Sequence, residues 1–407
     1  MRILFIVDGR SPIALNWMRY FCEGKHEVHE VHLVSTYPCE PELKLASFHM
    51  IPAAFGDLGK KGIGARAVGV KGLVRRVIPV GVRTGARQWL GPLTLPRAAK
   101  SLRALVAQIQ PDLVHAMRIP YEGMLAALAI GGHGEGGHTG PPLLVSVWGN
   151  DFTLHASATP AMARLTRLAL READGLHTDC QRDLRLAHRW GYPEGKPSVV
   201  LPGGGGVQLD VFYPPENIAK GSDPSQGSLT VINPRGFRAY VCNEAFFQAI
   251  PLVLKELPKA RFICPAMAGE AQAQRWVEAL GIGRAVELLP QQTRPQMAGL
   301  FRRSQVAVSP STHDGTPNTL LEAMACGCIP VAGDIESLRE WINPGENGLL
   351  VDPRDPVAIA EAIQSALRDV SLRQRARESN TRLVAERADY RRVMGEAERF
   401  YLKLFNL

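Results

Sequence analysis

The chain has 407 residues, 45% of them hydrophobic and 21% charged, with a formal net charge of +8. That balance describes a folded chain of two ordinary-sized domains and excludes a disordered or low-complexity one. No apolar run reaches the ~18 residues of a membrane-spanning helix, and the seven cysteines are scattered, with only a CxC at Cys326 and Cys328, which argues against zinc or disulfide frameworks and fits a reducing cytoplasm.

The opening MRILFIVDGR is apolar too briefly for a signal peptide and reads as a first buried strand, residues 3–7. The loop Asp8-Gly9-Arg10-Ser11-Pro12 then enters a helix over 12–21. Strand, glycine loop and helix start open a Rossmann-like unit, although a full GxGxxG is missing. A second strand is expected over 28–35. Between Asp57 and Asp112 there is no acid, while Lys60, Lys61, Arg66, Lys71, Arg75, Arg76, Arg83, Arg87, Arg97, Lys100 and Arg103 all fall there. A solvated basic face accounts for such a run, and so does a surface for anionic lipid or an anionic acceptor. No nucleic-acid recognition module is visible. The basic stretch is expected to be helical in parts, with Leu102, Leu105, Val106 and Ile109 at helical spacing over 98–110.

Residues 111–118, PDLVHAMR, read as a strand ending in a loop. The glycine-rich segment 131–140 is a connector. Its His133, Glu135 and His138 offer metal ligands, but an exposed loop is the expectation. Strand 143–147 leads into Trp148-Gly149-Asn150-Asp151. Helices over 159–173 and 181–190 flank a short strand, 175–178, and 198–202 is a further strand. The glycines at 203–206 read as a hinge and 214–227 as a linker, placing a domain boundary near 206. Beyond it, strand and helix alternate: strands 229–233, 260–264, 286–289 and 305–309, helices 243–256, 271–280 and 294–303. Such alternation predicts a parallel sheet covered on both faces. Asp355-Pro356 caps a helix reaching about 367, and two more helices close the chain.

The most informative stretch is 311–334, STHDGTPNTLLEAMACGCIPVAGD. It reads as a loop running into a helix, with Thr316 as N-cap, Pro317 at the first helical position and Gly327 as the stop. Asp314 precedes the helix, and Glu322 lies roughly 7–9 Å further along the axis. Between them, Gly315, Thr316, Asn318 and Thr319 offer backbone N–H groups and small polar side chains. This is an anion site with a carboxylate on each side. A nucleotide-diphospho-sugar has the matching layout of sugar hydroxyls, pyrophosphate and ribose hydroxyls. Acids at a helix start can also serve only the helix dipole.

The segment resembles the donor signature of glycosyltransferase family 4, retaining enzymes of the GT-B fold. The family carries Glu, seven residues, then Glu, followed by Ala-Met-Ala-x-Gly and a Pro-Val strand. Here Asp314, seven residues and Glu322 lead into Ala323-Met324-Ala325-Cys326-Gly327 and Pro330-Val331, with the first acid shortened. The resemblance implies an α/β chain of two Rossmann-like domains with parallel sheets facing across a cleft. Residues 1–206 would form the acceptor side and 207–387 would bind the nucleotide-sugar. A C-terminal helix, about 388–407, would return to the first domain.

By the same resemblance Arg235, after a strand, pairs with the donor pyrophosphate. The lysine that the family places about five residues later is absent, position 240 being Tyr, and Arg238 is the candidate replacement. Asp314 would hold the sugar near its reacting carbon, Glu322 the ribose hydroxyls, and Gly9 would face the donor. The family's Pro-Asp-x-x-His-x-His element appears as 111–117 with Met117 in the second histidine position. A thioether carries no proton, so any histidine role passes to His115. Met117, Trp148, Asn150 and Asp151 would form the acceptor-side wall. No DxD pair is persuasive and no metal or cofactor is expected beyond the nucleotide-sugar substrate.

The function implied is a retaining, metal-independent glycosyltransferase using a UDP- or GDP-type donor. Its acceptor would be a glycan, lipid or small molecule, as in polysaccharide biosynthesis. It would work in the cytoplasm, with the basic stretch 60–103 as a contact for the inner face of the membrane. Two alternatives keep the fold: a nucleotide-sugar epimerase or hydrolase, and a non-catalytic nucleotide-sugar or glycan sensor, the latter motivated by Met117 and the missing lysine.

Overall fold

The computed structural model describes residues 1–24, 29–55, 80–131, 140–215 and 229–406. Lys60, Lys61, Arg66, Lys71, Arg75 and Arg76, the histidines of the glycine-rich connector, and most of the expected linker lie outside them. The chain divides into two compact units, residues 1–205 with 394–407, and residues 206–393.

In the first unit, strands β1 (Arg2–Val7), β2 (Glu30–Ser35), β3 (Ser47–Met50), β4 (Leu113–Ala116), β5 (Leu143–Val147), β6 (Gly175–Thr178) and β7 (Ser198–Val200) form one sheet in the order β3-β2-β1-β4-β5-β6-β7. Every pairing is parallel. β4 and β5 are buried at every position and β1 at all but its first, the signature of strands covered on both faces. The helices are α1 (Pro12–Glu23), α2 (Val80–Leu90), α3 (Leu95–Ile109), α4 (Met124–Ile130), α5 (Pro160–Glu172) and α6 (Gln181–Arg189). Where the sequence carries a cap the helix begins on it: the Ser11 hydroxyl accepts from the Ala14 N–H and the Thr159 hydroxyl from the Met162 N–H, each with proline next in the chain. β3, a half-exposed edge strand, has no counterpart in the sequence reading.

In the second unit, β8 (Thr230–Ile232), β9 (Arg261–Cys264), β10 (Val286–Leu288), β11 (Val306–Ser309), β12 (Ile329–Gly333) and β13 (Leu349–Val351) form a parallel sheet in the order β10-β9-β8-β11-β12-β13. Helices α7 (Asn243–Glu256), α8 (Ala271–Ala279), α9 (Arg294–Arg302), α10 (Asn318–Ala325), α11 (Pro356–Arg368) and α12 (Val370–Ala388) accompany it. Two apolar clusters fill this unit, one centred on Phe246, Phe247 and Phe262, the other on Leu320, Leu321, Met324 and Phe301. The last helix, α13 (Tyr390–Phe405), begins in the second unit, and from Met394 onward belongs to the first.

One boundary departs from the sequence reading. Thr316 is not the N-cap of α10; Pro317 is, in extended conformation, and the helix begins at Asn318. The Thr316 hydroxyl instead accepts from the indole N–H of Trp341 at 3.1 Å, a long-range partner that outcompetes the local cap. The helix ends as expected, with Gly327 at φ +90°, a conformation that costs glycine little.

Candidate functional site

The second unit builds its polar cluster at the carboxyl ends of β8 and β11, where open parallel sheets place ligands. The loop after β11 seats deeply because Gly333 has no side chain; a Cβ there would collide with the Ser311 carbonyl. The Ser337 hydroxyl donates to the Asp314 carbonyl at 2.6 Å and fixes the loop's turn. The loop after β8 is tied to it: Thr312 N–H donates to Tyr240 O at 2.9 Å and Cys242 N–H to Pro310 O at 2.8 Å. Two loops far apart in sequence are thereby held as one surface.

Across that surface Arg235 reaches Asp314. One guanidinium nitrogen lies 2.5 Å from Asp314 Oδ2 and another donates to Thr319 Oγ1 at 3.1 Å. Both charged side chains are largely buried. The third guanidinium nitrogen, Nε, is buried and has no partner. Among the described residues no acceptor takes the backbone N–H of Gly315, Asn318 or Thr319, as the first turn of a helix dictates. Arg238 is exposed and makes no side-chain hydrogen bond or ion pair among the described residues, so the structure leaves its cation available without joining it to Arg235. One turn into α10, Glu322 is 12% exposed, and its carboxylate has Arg294, from the start of α9, at 3.5 Å. Burial pushes the Glu322 carboxyl up to about 7, against the pull of Arg294. A guanidinium with an orphaned buried donor, open helix-start amides and a carboxyl desolvated at a cost are unfinished groups gathered at one helix start.

In the first unit the outcome for His115 is a correction. It stands within β4, fully buried, and both ring nitrogens are engaged: Nδ1 with the Tyr401 hydroxyl at 2.5 Å and Nε2 with Ser146 Oγ at 2.7 Å. The chain continues from Ser146 Oγ to His177 Nδ1 at 2.8 Å, and from His177 Nε2 to the Leu201 carbonyl at 2.9 Å. At its other end Trp17 Nε1 donates to Tyr401 at 2.9 Å. A carbonyl only accepts, so His177 donates from Nε2 and accepts at Nδ1. Ser146 therefore donates to His177 and accepts from His115 Nε2, and Tyr401 donates to His115 Nδ1. Both imidazoles are neutral in this scheme. Burial agrees, pushing His115 well below its usual value, with His177 adding to the effect, and His177 down to about 4. His115 thus anchors the returning C-terminal segment to the sheet and presents no nitrogen to a substrate.

The loop residues after β4 and β5 are likewise tied down. The Asp151 carboxylate accepts from Arg118 Nε at 2.8 Å and from the backbone N–H groups of Ile119 and Trp148, each at 3.1 Å. Arg118 also donates to Asn150 Oδ1 at 2.8 Å. Burial raises the Asp151 carboxyl, opposed by Arg118. Asp151 and Asn150 therefore shape this wall by holding Arg118, while Met117 is buried. Trp148 keeps a buried indole N–H without a partner. Gly9 has a packing reason to be glycine: a Cβ would overlap Cys39 Sγ and come within 2.8 Å of Ser35 Oγ.

Several groups escaped the sequence reading. Arg10 is paired with Asp8 and lies 3.7 Å over the Tyr37 ring, and Arg87 lies over both Tyr37 and Tyr121 at 5.0 and 4.4 Å. These residues gather at the carboxyl ends of β1 and β2, beside the β1–β4 switch in strand order. The clue available was Arg10 itself, next to the glycine of the first loop. Arg294, the partner of Glu322, had no local signal. Asp179, Cys180 and Asp183 place oxygen and sulfur ligands within 4.8 Å of one another. Arg182 already pairs with Asp183 at 2.8 Å, and burial holds the Cys180 thiol protonated.

The profile of the "Glycosyl transferases group 1" family matches residues 243–383, and that of the "Glycosyl transferase 4-like domain" matches residues 14–203. Among relatives, D-inositol 3-phosphate glycosyltransferase of Mycolicibacterium paratuberculosis is 31% identical over 179 residues, 42% of this chain and 39% of that protein. The Thermomonospora curvata enzyme of the same name is 27% identical over 242 residues, 55% and 54% of the two chains. The matched stretches thus span about half of these relatives' length or less. Sucrose-phosphate synthase from Thermosynechococcus elongatus superimposes with a TM-score of 0.73 at 17% identity, covering 100% of this chain and 99% of its own. Anabaena HepE, solved in complex with UDP-glucose, does so at 0.69 and 15% identity, covering both chains fully. These likenesses show the fold. Two parallel-sheet Rossmann-like units, the donor-signature segment and both family profiles agree: this chain belongs to glycosyltransferase family 4, the group 1 transferases built on the GT-B fold.

Proposed function

We propose that the protein is a retaining, metal-independent glycosyltransferase that takes its sugar from a nucleotide-diphospho-sugar of the UDP or GDP type. The acceptor would be a glycan, lipid or small molecule. The observation that carries this is the join of Arg235 to Asp314 and Thr319 across two loops, beside the open amides at the start of α10. Breaking a sugar–phosphate bond leaves negative charge on the departing diphosphate. Fixed cations and amide dipoles stabilise that charge without reorganising. Arg235, with its free Nε, and the N–H groups of Gly315, Asn318 and Thr319 would meet the diphosphate, and Arg238 would supply a further cation. Asp314 would orient the sugar and steady positive charge at its reacting carbon, while the ion pair keeps Arg235 aimed. Glu322 would accept from the ribose hydroxyls. UDP and UDP-glucose in the structures of Anabaena HepE support a nucleotide-sugar of this class.

With His115 sealed in its relay, no histidine base stands at the expected position, which favours transfer assisted by the leaving group over proton-abstracting epimerase chemistry. The deciding experiment incubates the chain with UDP- and GDP-sugars, with and without acceptors, in the presence of EDTA. Sugar transfer with the anomeric configuration kept is expected. Nucleotide binding without release in every mixture would establish a sensor instead, and loss of turnover in EDTA would overturn metal independence.

A further inference from the structure

The structure displays an apolar tip on the first unit. Trp89, Leu90 and Leu93 are 65%, 49% and 75% exposed, all within the end of α2 and the short 3₁₀ turn Gly91–Thr94 that joins it to α3. This is not a frayed loop. Gly91 and Pro92 are buried beneath the tip, and a Cβ on Gly91 would stand 2.7 Å from the Tyr121 ring and 3.0 Å from Ala54 Cβ. The Thr94 hydroxyl donates to Gly91 O and accepts from Ala54 N–H, both at 2.8 Å. A rigid base thus holds three large apolar side chains in water.

Exposed cations lie on the two helices that adjoin the tip. Arg97 and Lys100 are exposed on the next turns of α3. Helix α5 packs against the same 3₁₀ turn, and its Arg164, Arg167 and Arg171 line a hollow of about 510 Å³ together with Trp190 from the end of α6. Neither Arg164 nor Arg167 has an ion-pair partner among the described residues, and the sequence places no acid between Asp57 and Asp112. An acidic soluble partner would meet the charge and leave the apolar tip wet. A lipid surface takes both: indole and leucine at the boundary of headgroups and acyl chains, and arginine among anionic headgroups.

We propose that Trp89, Leu90 and Leu93, with Arg97, Arg164 and Arg167 on the adjoining helices, dock this protein on an anionic lipid surface. This is independent of the donor-site assignment. The test is co-sedimentation of the full chain with vesicles of phosphatidylcholine and phosphatidylglycerol, and with phosphatidylcholine alone. Binding to the anionic vesicles at least about tenfold tighter is expected, falling as salt screens the charge. Trp89→Ser with Leu93→Ser, and separately Arg164→Glu with Arg167→Glu, should each lower it by about tenfold or more. Both pairs are exposed, so unchanged thermal melting verifies the fold. Soluble glycerol phosphate should not compete; competition would replace the lipid surface with a small-anion site. Brominated acyl chains should quench tryptophan emission in the wild type and less in Trp89→Phe. Sedimentation on neither vesicle, or binding indifferent to both variant pairs, overturns the proposal. So does light scattering that shows a dimer dissolved by Trp89→Ser with Leu93→Ser, which would make the tip a contact between copies.

Discussion

Glu322→Gln should make the protein more stable and worse at holding nucleotide, and the two effects have different pH signatures. In the folded chain burial raises the Glu322 carboxyl from 4.5 to about 7. The folded state therefore holds this proton more tightly than the unfolded state does. Its contribution to stability is complete below pH 4.5 and is lost as pH rises through about 7. A gap of about 2.5 units corresponds to about 3 kcal/mol at the alkaline plateau. Glutamine cannot ionise, yet its amide must still be buried, so the variant should gain about 1–3 kcal/mol above pH 7. For a unit of this size that is a Tm rise of about 3–10 °C near pH 8.5, shrinking toward zero near pH 4.5. Calorimetry of both proteins at the two pH values measures it. If a ribose uses the ionised carboxylate, the same variant should bind UDP or GDP about tenfold or more weakly above pH 7, a charged hydrogen-bond acceptor having been lost. A Tm difference that is the same at both pH values would refute the proton linkage, and unchanged nucleotide affinity would remove Glu322 from the donor site.

Three further substitutions probe other parts of the argument. Arg235→Ala should lower kcat by about 10²–10³-fold with a smaller change in KM, because the cation acts on charge that develops during bond breaking; steady-state kinetics with saturating acceptor separates the two, and equal losses would make Arg235 only an anchor. Tyr401→Phe strips Trp17 Nε1 of an acceptor and His115 Nδ1 of a donor in a fully buried relay, so urea unfolding should show a loss of about 2–4 kcal/mol while turnover per folded molecule stays near wild type; a selective fall in kcat would return His115 to the chemistry. Gly9→Ala should cost about 1–3 kcal/mol through overlap with Cys39 and Ser35, and adding Cys39→Ala should recover part of it; no recovery would mean that the clash is not the cause.

The sheets were legible because parallel strands buried on both faces are nearly continuous apolar runs, as in LFIV, LLVSV and VAVS. Helix starts were legible where serine, threonine or aspartate precedes proline, at Ser11, Thr159 and Asp355. What escaped was set by distant partners. Trp341 draws the Thr316 hydroxyl away from a cap that the local sequence offers. Tyr401, 286 residues along the chain, turns His115 from an apparent site residue into a structural link. Helix α2 carries two glycines and two valines among its eleven residues, a poor helix former that tertiary support overrides. β3, SFHM, is short and half exposed, so neither alternation nor a buried run marks it.

The contrast between the two polar networks is what separates structure from function here. In the relay from Trp17 to Leu201, one consistent set of donors and acceptors satisfies every member, and nothing in it waits for a ligand. A closed network of that kind strengthens itself in a low-dielectric interior. Around Arg235 the opposite holds: a buried guanidinium N–H has no acceptor, three amides at a helix mouth are open, and a desolvated carboxyl rests on one long contact to Arg294. Each of these lowers stability on its own, and a doubly charged diphosphate flanked by hydroxyls would satisfy all of them together. Histidine at a strand end and aspartate before a helix look alike as letters in a sequence. What distinguishes them is their neighbours: both nitrogens of His115 are engaged in its relay, whereas the guanidinium beside Asp314 keeps a buried N–H without an acceptor.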